Sequence, residues 1–129
     1  MKTNSASNNH MSEEPSRRGG SWLCLGGGAV TTSAPFGVMG IVNLTPDSFY
    51  DGGTHDSADL GLAHAMRLHA EGADILDLGA ESSRPGAQAL TPEQELLRLM
   101  PVLRELRREI PGVMLSVDTY HAATAAAVL

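Results

Sequence analysis

The sequence has little of what several common protein classes depend on. It holds one cysteine, Cys24, so no disulfide can form within the chain, which suits a reducing cytoplasm. Basic residues are scarce, with 9 Lys and Arg against 15 Asp and Glu and a net charge of −6. This balance disfavours nucleic acid or an anionic membrane as the partner. No apolar run approaches the roughly 18 residues of a membrane-spanning helix.

Aromatic residues are also few, at 4% of the chain, although hydrophobic residues reach 42% and suffice for a core. The core must therefore rely on Leu, Ala, Val, Ile and Met. Residues 1–20 are rich in Ser, Asn and charge and lack the apolar segment of a signal peptide. We expect a disordered tail over 1–20 and a folded domain over 21–129.

Short apolar runs predict strands throughout this domain. Two β-prone runs, 22–25 and 29–32, flank three glycines and predict a β-hairpin. Those glycines are not followed by Gly-Lys-Ser/Thr, so they do not form a P-loop. Three later runs predict further strands, the first of them buried on both faces because it lacks alternation; they cover residues 36–42, 74–80 and 113–117.

A helix is predicted after each of these later strands. The first begins near Ser57 and ends before Gly72, which suits a left-handed C-terminal cap. The second begins at Thr91, where Gln94 completes a capping box, and Pro101 should kink or divide it. The third covers 120–129. Alternating strands and helices with short connections predict parallel strands and an α/β fold.

Polar residues follow the end of each predicted strand: Asn43, Ser83 with Arg84, and Asp118. Neighbouring parallel strands place their carboxyl ends at one edge of the sheet, where α/β folds carry their chemistry. We therefore expect these residues to converge on one rim.

Each rim residue has a functional interpretation and a structural alternative. The amide oxygen of Asn43 suits Mg²⁺, but asparagine also forms turns. The guanidinium of Arg84 suits a phosphate group, but it could instead pair with Glu81 in solvent. Asp118 could accept hydrogen bonds from a buried ligand, but it could also cap the next helix. Phe49 could stack on a flat substrate or simply anchor its loop.

Two further carboxylate sites are ambiguous. Asp47 and Asp51 could bind a metal or form turns beside Pro46. Asp77 lies within the second strand and needs a partner if it is buried, and the sequence identifies none.

Two long motifs and one short one resemble the dihydropteroate synthases. The first motif covers residues 39–53 and reads Met-Gly-Ile-Val-Asn-Leu-Thr-Pro-Asp-Ser-Phe-Tyr-Asp-Gly-Gly. The second covers residues 71–87 and contains Glu-Ser-Ser-Arg-Pro-Gly, and the third is Ser-Val-Asp-Thr at 116–119. Their order and spacing match the family from about Trp22 to the end of the sequence.

The resemblance implies the N-terminal part of a (β/α)₈ TIM barrel, about three βα units preceded by a β-hairpin. It implies a transferase of folate biosynthesis that joins p-aminobenzoate to a dihydropterin diphosphate, with no covalent nucleophile. Asn43 would help hold Mg²⁺ and the diphosphate. The other implied substrate-binding residues are Ser83 and Arg84 for the diphosphate, Asp118 for the pterin ring, and Phe49 and Pro85 for p-aminobenzoate. The full-length enzyme would be a cytoplasmic homodimer.

Small departures from the family pattern occur at Ala80, Ser83 and His121, where glycine, threonine and lysine are more usual. The larger departure is length, since a complete barrel needs about 250 residues. We expect this chain to be a fragment that is inactive alone. The alternatives are a non-catalytic pterin-binding module and a methyltetrahydrofolate-dependent methyltransferase domain.

Overall fold

The computed structural model describes residues 19–23, 29–32, 34–45, 54–82 and 84–129. Several predictions lie outside these residues: nearly all of the tail over 1–20, the glycines at 26–28, and the loop residues Asp47, Phe49 and Asp51. Ser83 also lies outside them. The predicted core of the domain lies within them.

Two short antiparallel strands come first. Strand β1 (Ser21–Leu23) pairs with β2 (Ala29–Thr31), with Ser21 opposite Thr31. Beyond the strands, the Thr32 N–H donates to the Gly20 carbonyl oxygen at 2.9 Å. The residues that join the two strands are outside the described part, so the predicted hairpin connection remains a prediction.

A three-stranded parallel sheet forms the centre of the fold. Its strands are β3 (Met39–Asn43), β4 (Ile75–Gly79) and β5 (Met114–Asp118), in that spatial order. Helix α1 (Thr54–Ala70) connects β3 to β4, and α2 (Pro92–Glu109) connects β4 to β5. Helix α3 (Ala122–Val128) follows β5. The predicted order of strands and helices and the parallel pairing are confirmed.

Local sequence signals account for the end of α1 and the start of α2, whereas α1 begins before the predicted cap near Ser57 and α3 begins two residues later than predicted. Thr91 accepts a hydrogen bond from the Gln94 N–H, while the Gln94 side chain accepts one from the Thr91 N–H, so the predicted capping box is present. Gly72 has φ +107° after α1, as expected of a left-handed cap. Pro101 does not divide α2, which continues through it to Glu109.

The helices bury one face of the sheet. Val42, Leu76 and Leu78 are fully buried and pack with the apolar side of α2, including Leu99 and Leu106. This alternation is the period-2 geometry of a strand.

The opposite face of the sheet is open, and here one prediction is wrong. Strand β3 was expected to be buried on both faces, yet Met39 and Ile41 are 47% and 51% exposed. The described helices lie against the other face, so alternate residues of β3 remain uncovered. The strand also starts later than predicted, and Phe36 lies outside it with 62% of its surface exposed.

Across the described parts of the chain, no helix has both the length and the apolar character needed to cross a membrane.

Candidate functional site at the carboxyl edge of the sheet

Three residues form a row at the carboxyl ends of the parallel strands. Asn43 is in register with Gly79, and Gly79 is in register with Asp118. Asn43 and Asp118 are both exposed. The predicted convergence of these two side chains on one rim is therefore correct.

Gly79 leaves the centre of this row without a side chain. A β-carbon built on Gly79 would lie 3.9 Å from Asn43 Oδ1 and 3.8 Å from Asp118 Cβ. These are ordinary contact distances, so a methyl group would just fill the gap between the two polar side chains. Without it, the rim presents an amide and a carboxylate on either side of bare backbone.

Asp118 does not cap the helix that follows it. Helix α3 begins at Ala122, and its N-terminal cap residue is His121, which makes no side-chain capping bond. The hydroxyl of Thr119 accepts a hydrogen bond from the His121 N–H at 3.1 Å, so Thr119 organises this turn. The carboxylate of Asp118 is therefore left exposed at the rim.

Arg84 lies in the loop after β4 and is exposed. Its backbone N–H donates to Ser82 Oγ at 3.3 Å, and its carbonyl oxygen accepts from the Ala87 N–H at 3.1 Å. Gly86 has φ +83°, which completes a tight turn. Pro85 in this turn is also exposed.

The alternative role of Arg84, an ion pair with Glu81, is not observed. Among the described residues, Glu81 instead accepts a hydrogen bond from the Tyr120 hydroxyl and faces His121. No ion pair of Arg84 is formed with any residue in the described part of the chain. Its guanidinium thus remains available for an anion.

The base of this loop is held by contacts that the sequence did not reveal. Arg98 Nη1 donates to the Ala80 carbonyl oxygen at 2.9 Å. The Leu44 N–H donates to the Gly79 carbonyl oxygen at 2.7 Å, which joins the ends of β3 and β4. These contacts attach the start of the Arg84 loop to α2 and to β3.

A buried carboxylate supports the next loop. Glu95 on α2 is 1% exposed, and Oε2 of Glu95 accepts a hydrogen bond from the Thr119 hydroxyl at 2.8 Å. Thr119 follows Asp118 directly, so this bond fixes the chain beside the rim. One signal was available: Glu95 stands four residues before Leu99 and therefore shares its helix face.

Asp77 lies on the open face of β4, two residues before Gly79. It is in register with Ile41 of β3 and Ser116 of β5. It is half-buried. Within the described residues its carboxylate accepts no hydrogen bond, so the side-chain partner that the sequence does not identify is also absent from this part of the structure.

The described residues contain no group of three or more His, Cys, Asp or Glu side chains arranged to hold a metal ion. A magnesium ion that keeps its waters and substrate oxygens needs only one or two protein ligands. The exposed amide oxygen of Asn43 fits that requirement.

Comparison with known proteins decides the family. A family profile described as pterin binding enzyme matches residues 39–129. The chain belongs to the pterin-binding enzyme family. The match includes all three parallel strands and the complete row of rim residues.

Curated members of the family give the same assignment. The chain is 50% identical over 88 residues to dihydropteroate synthase of Bacillus subtilis, covering 68% of this chain and 30% of that enzyme. The chain therefore spans less than a third of that relative's length.

Solved structures of the family share the fold. Xanthomonas albilineans dihydropteroate synthase with 4-aminobenzoic acid is 51% identical with a TM-score of 0.66, over 71% of this chain and 34% of that one. Dihydropteroate synthase from Clostridium difficile, determined with pteroic acid, is 43% identical with a TM-score of 0.67, over 71% and 35%. The predicted fold class, the N-terminal part of a TIM barrel, is confirmed for the three βα units.

Proposed function

We propose that this chain supplies the diphosphate-binding side of a dihydropteroate synthase active site. The row of Asn43, Gly79 and Asp118, together with the exposed Arg84 in the loop after β4, carries the proposal. It puts an oxygen ligand, a carboxylate and a guanidinium at the edge of the sheet where barrel enzymes bind substrates. Pteroic acid and 4-aminobenzoic acid in the related structures support the same substrate class.

The proposed reaction joins p-aminobenzoate to a dihydropterin that carries a methylene diphosphate. The aniline nitrogen forms a bond to the methylene carbon as the carbon–oxygen bond to the diphosphate breaks. The nitrogen then loses a proton, and dihydropteroate and pyrophosphate are the products. The pterin ring spreads positive charge from the methylene carbon, so no protein nucleophile is required.

Arg84 acts on the leaving group in this proposal. The guanidinium presents a fork of donors that matches phosphate oxygens, and it stabilises the negative charge that develops on the departing diphosphate. Ser83 would add a hydroxyl to the same group. Asn43 would hold Mg²⁺, which when bound supplies further positive charge at the diphosphate oxygens.

Asp118 acts on the other end of the substrate. Its exposed carboxylate accepts hydrogen bonds from N–H groups of the pterin ring and orients the ring over Gly79. Phe49 and Pro85 would enclose p-aminobenzoate from the two loops. A cytoplasmic location and a homodimeric full-length enzyme belong to the same proposal and rest on the resemblance.

The test is a segment exchange. Residues 39–129 replace the matching segment of the Bacillus subtilis enzyme, and dihydropteroate formation is measured with both substrates. We expect turnover, and a loss of about 10²-fold or more when Arg84→Ala is added, because one electrostatic stabiliser of a transition state has an effect of this size. A folded exchange protein that binds neither substrate would contradict the proposal.

Pterin binding without catalysis is the second candidate, supported by the match of residues 39–129 to the pterin binding enzyme family. Titration of the isolated chain with the dihydropterin diphosphate and Mg²⁺ separates the two. Saturable binding without turnover, in both the chain and the exchange protein, would favour the binding module. A methyltransferase would instead show no dependence on p-aminobenzoate.

A further inference from the structure

A cluster of three side chains ties the Arg84 loop to the turn before α3. The Tyr120 hydroxyl donates to Glu81 Oε1 at 2.8 Å. His121 Nε2 lies 3.7 Å from Glu81 Oε2, and the rings of Tyr120 and His121 have centroids 4.2 Å apart. None of these residues has a role in the reaction proposed above.

Within this cluster, two buried polar atoms face each other without a bond. Glu81 Oε2 and His121 Nε2 both have no hydrogen-bond partner in the described structure. Their separation of 3.7 Å is too long for a hydrogen bond. Burying unpaired polar atoms is costly, and approach by about 1 Å with a proton on Nε2 would satisfy both in a charge-assisted bond.

Two carboxylates interact with His121. Glu81 faces it from the β4 loop, and Glu93 at the start of α2 is attracted to it. Glu95 on α2 bonds the neighbouring Thr119. Arg98 on α2 also contacts this loop, and its guanidinium donates to the Ala80 carbonyl oxygen.

The cluster connects directly to the proposed anion site. Glu81 is three residues before Arg84, and Ser82 between them bonds the Arg84 N–H. Ala80 is held by Arg98 and Glu81 by Tyr120, so among the described residues these two attach the chain just before the turn that carries Arg84. A change in how tightly Glu81 is held therefore changes the position of that turn.

We propose that Glu81 is a positioning residue for the Arg84 loop and that protonation of His121 tightens its hold. Histidine changes charge between about pH 5 and 8. Glu81 is then held by the Tyr120 hydrogen bond at the upper end of this range, and additionally by attraction to the positively charged His121 ring at the lower end. The ligand at Arg84 rests on the proposed function, but the coupling between His121 and the loop does not.

The test follows the Arg84 loop by NMR in the ¹⁵N-labelled protein. We expect the backbone amides of Arg84, Gly86 and Ala87 to titrate with the midpoint of the His121 ring. In His121→Gln this titration should vanish, and in His121→Lys, which keeps a permanent cation, the amides should stay at their low-pH positions. His69→Gln is the matched control and should leave the loop titration unchanged.

Affinity gives an independent readout. It is measured in the exchange protein described above, where we expect the ratio of the KM for the pterin diphosphate with His121 to the KM with His121→Lys to rise about two- to fivefold from pH 6 to 8, the range that partly exposed ion pairs reach. The kcat ratio should stay constant. Because both proteins bind the same diphosphate, the effect of its ionisation on KM cancels in the ratio.

Two results would overturn the proposal: loop amides that do not titrate in the wild type, or the same titration in His121→Gln. Glu81→Gln guards against misfolding, because it keeps the side-chain volume while removing the charge. It should abolish the loop response and leave the rest of the amide spectrum in place. A normal loop response with no dihydropteroate formation by the exchange protein would refute the proposed function alone.

Discussion

The two faces of the same three strands have different environments. On the helix side, Val42, Leu76 and Leu78 are fully buried in an apolar core. On the other side, Met39 and Ile41 are about half exposed and lead up to the polar row at the rim. Neighbouring residues of one strand thus serve stability and the candidate site in turn.

This comparison shows why site and core can be substituted separately. Side chains of a strand alternate between the faces, so a change at one residue reaches one environment only. Substitutions on the helix side should alter unfolding, and substitutions at the rim should alter ligand binding. The predictions below test that separation.

The largest effect is expected from Leu78→Ala. Leu78 is fully buried, and removing a buried leucine side chain costs about 2–5 kcal/mol through lost transfer energy and the cavity that remains. The matched control is Ile41→Ala on the open face, where 51% of the side chain is already exposed. Denaturant unfolding should separate the two variants clearly. Equal losses would show that the open face is covered in solution.

A smaller loss of stability is expected from Thr119→Val. Thr119 follows the rim residue Asp118 and bonds Glu95 in the core, so it connects the two regions. The substitution removes the hydroxyl that donates to the buried Glu95 carboxylate at 2.8 Å. A buried acceptor left unpaired costs about 1–3 kcal/mol, again measured by denaturant unfolding. Thr119→Ser keeps the hydroxyl and should retain most of the stability. If the valine variant were as stable as the wild type, Glu95 would have another donor.

The core could be predicted further from the sequence than the site could. Leucines stand at helical spacing in the sequence of α2, at positions 96, 99, 103 and 106, and such a stripe must face the sheet. This spacing identifies Leu99 and Leu106, which are fully buried. It favoured Leu96 and Leu103, however, whereas Glu95 and Val102 are the fully buried neighbours. A stripe is about 100° wide, so the spacing alone does not decide its exact edge, and a charged residue there is readily assigned to solvent.

At the rim, position was predictable and partners were not. Asn43 and Asp118 could be placed because parallel strands in sequence order bring their carboxyl ends together. The contacts of Glu81 with Tyr120 and of Arg98 with Ala80 join residues 39 and 18 positions apart. Such pairs depend on how loops and helices pack, and no local pattern encodes them.

The third prediction concerns Gly79, which lies between Asn43 and Asp118 at the rim. In Gly79→Ala, the new methyl group would meet only ordinary contacts at 3.8 and 3.9 Å, so stability should change by about 0.5 kcal/mol or less. A ligand lying across Gly79 would lose its close approach, and we expect about tenfold weaker binding of the dihydropterin diphosphate by calorimetry. Gly112→Ala, with nothing within 4 Å, is the control and should bind normally. Unchanged affinity in Gly79→Ala would place the ligand elsewhere.

The smallest effect is expected at Tyr120, between the core and the rim. The hydrogen bond to Glu81 raises the pKa of Tyr120 above its ordinary value of 10.0, and partial desolvation and the charges of Glu81 and Glu95 add to this. A raised folded-state pKa means that the stabilisation is present in full below about pH 10 and is lost as the pH rises through the raised value. Ultraviolet titration of the native protein should show one tyrosine ionising late, and Tyr120→Phe should remove that step. In Glu81→Gln the tyrosine ionisation should move down towards pH 10, because the hydrogen bond to the Glu81 carboxylate is the main cause of the raised pKa. An ionisation that stayed in place would show that burial rather than Glu81 controls this hydroxyl.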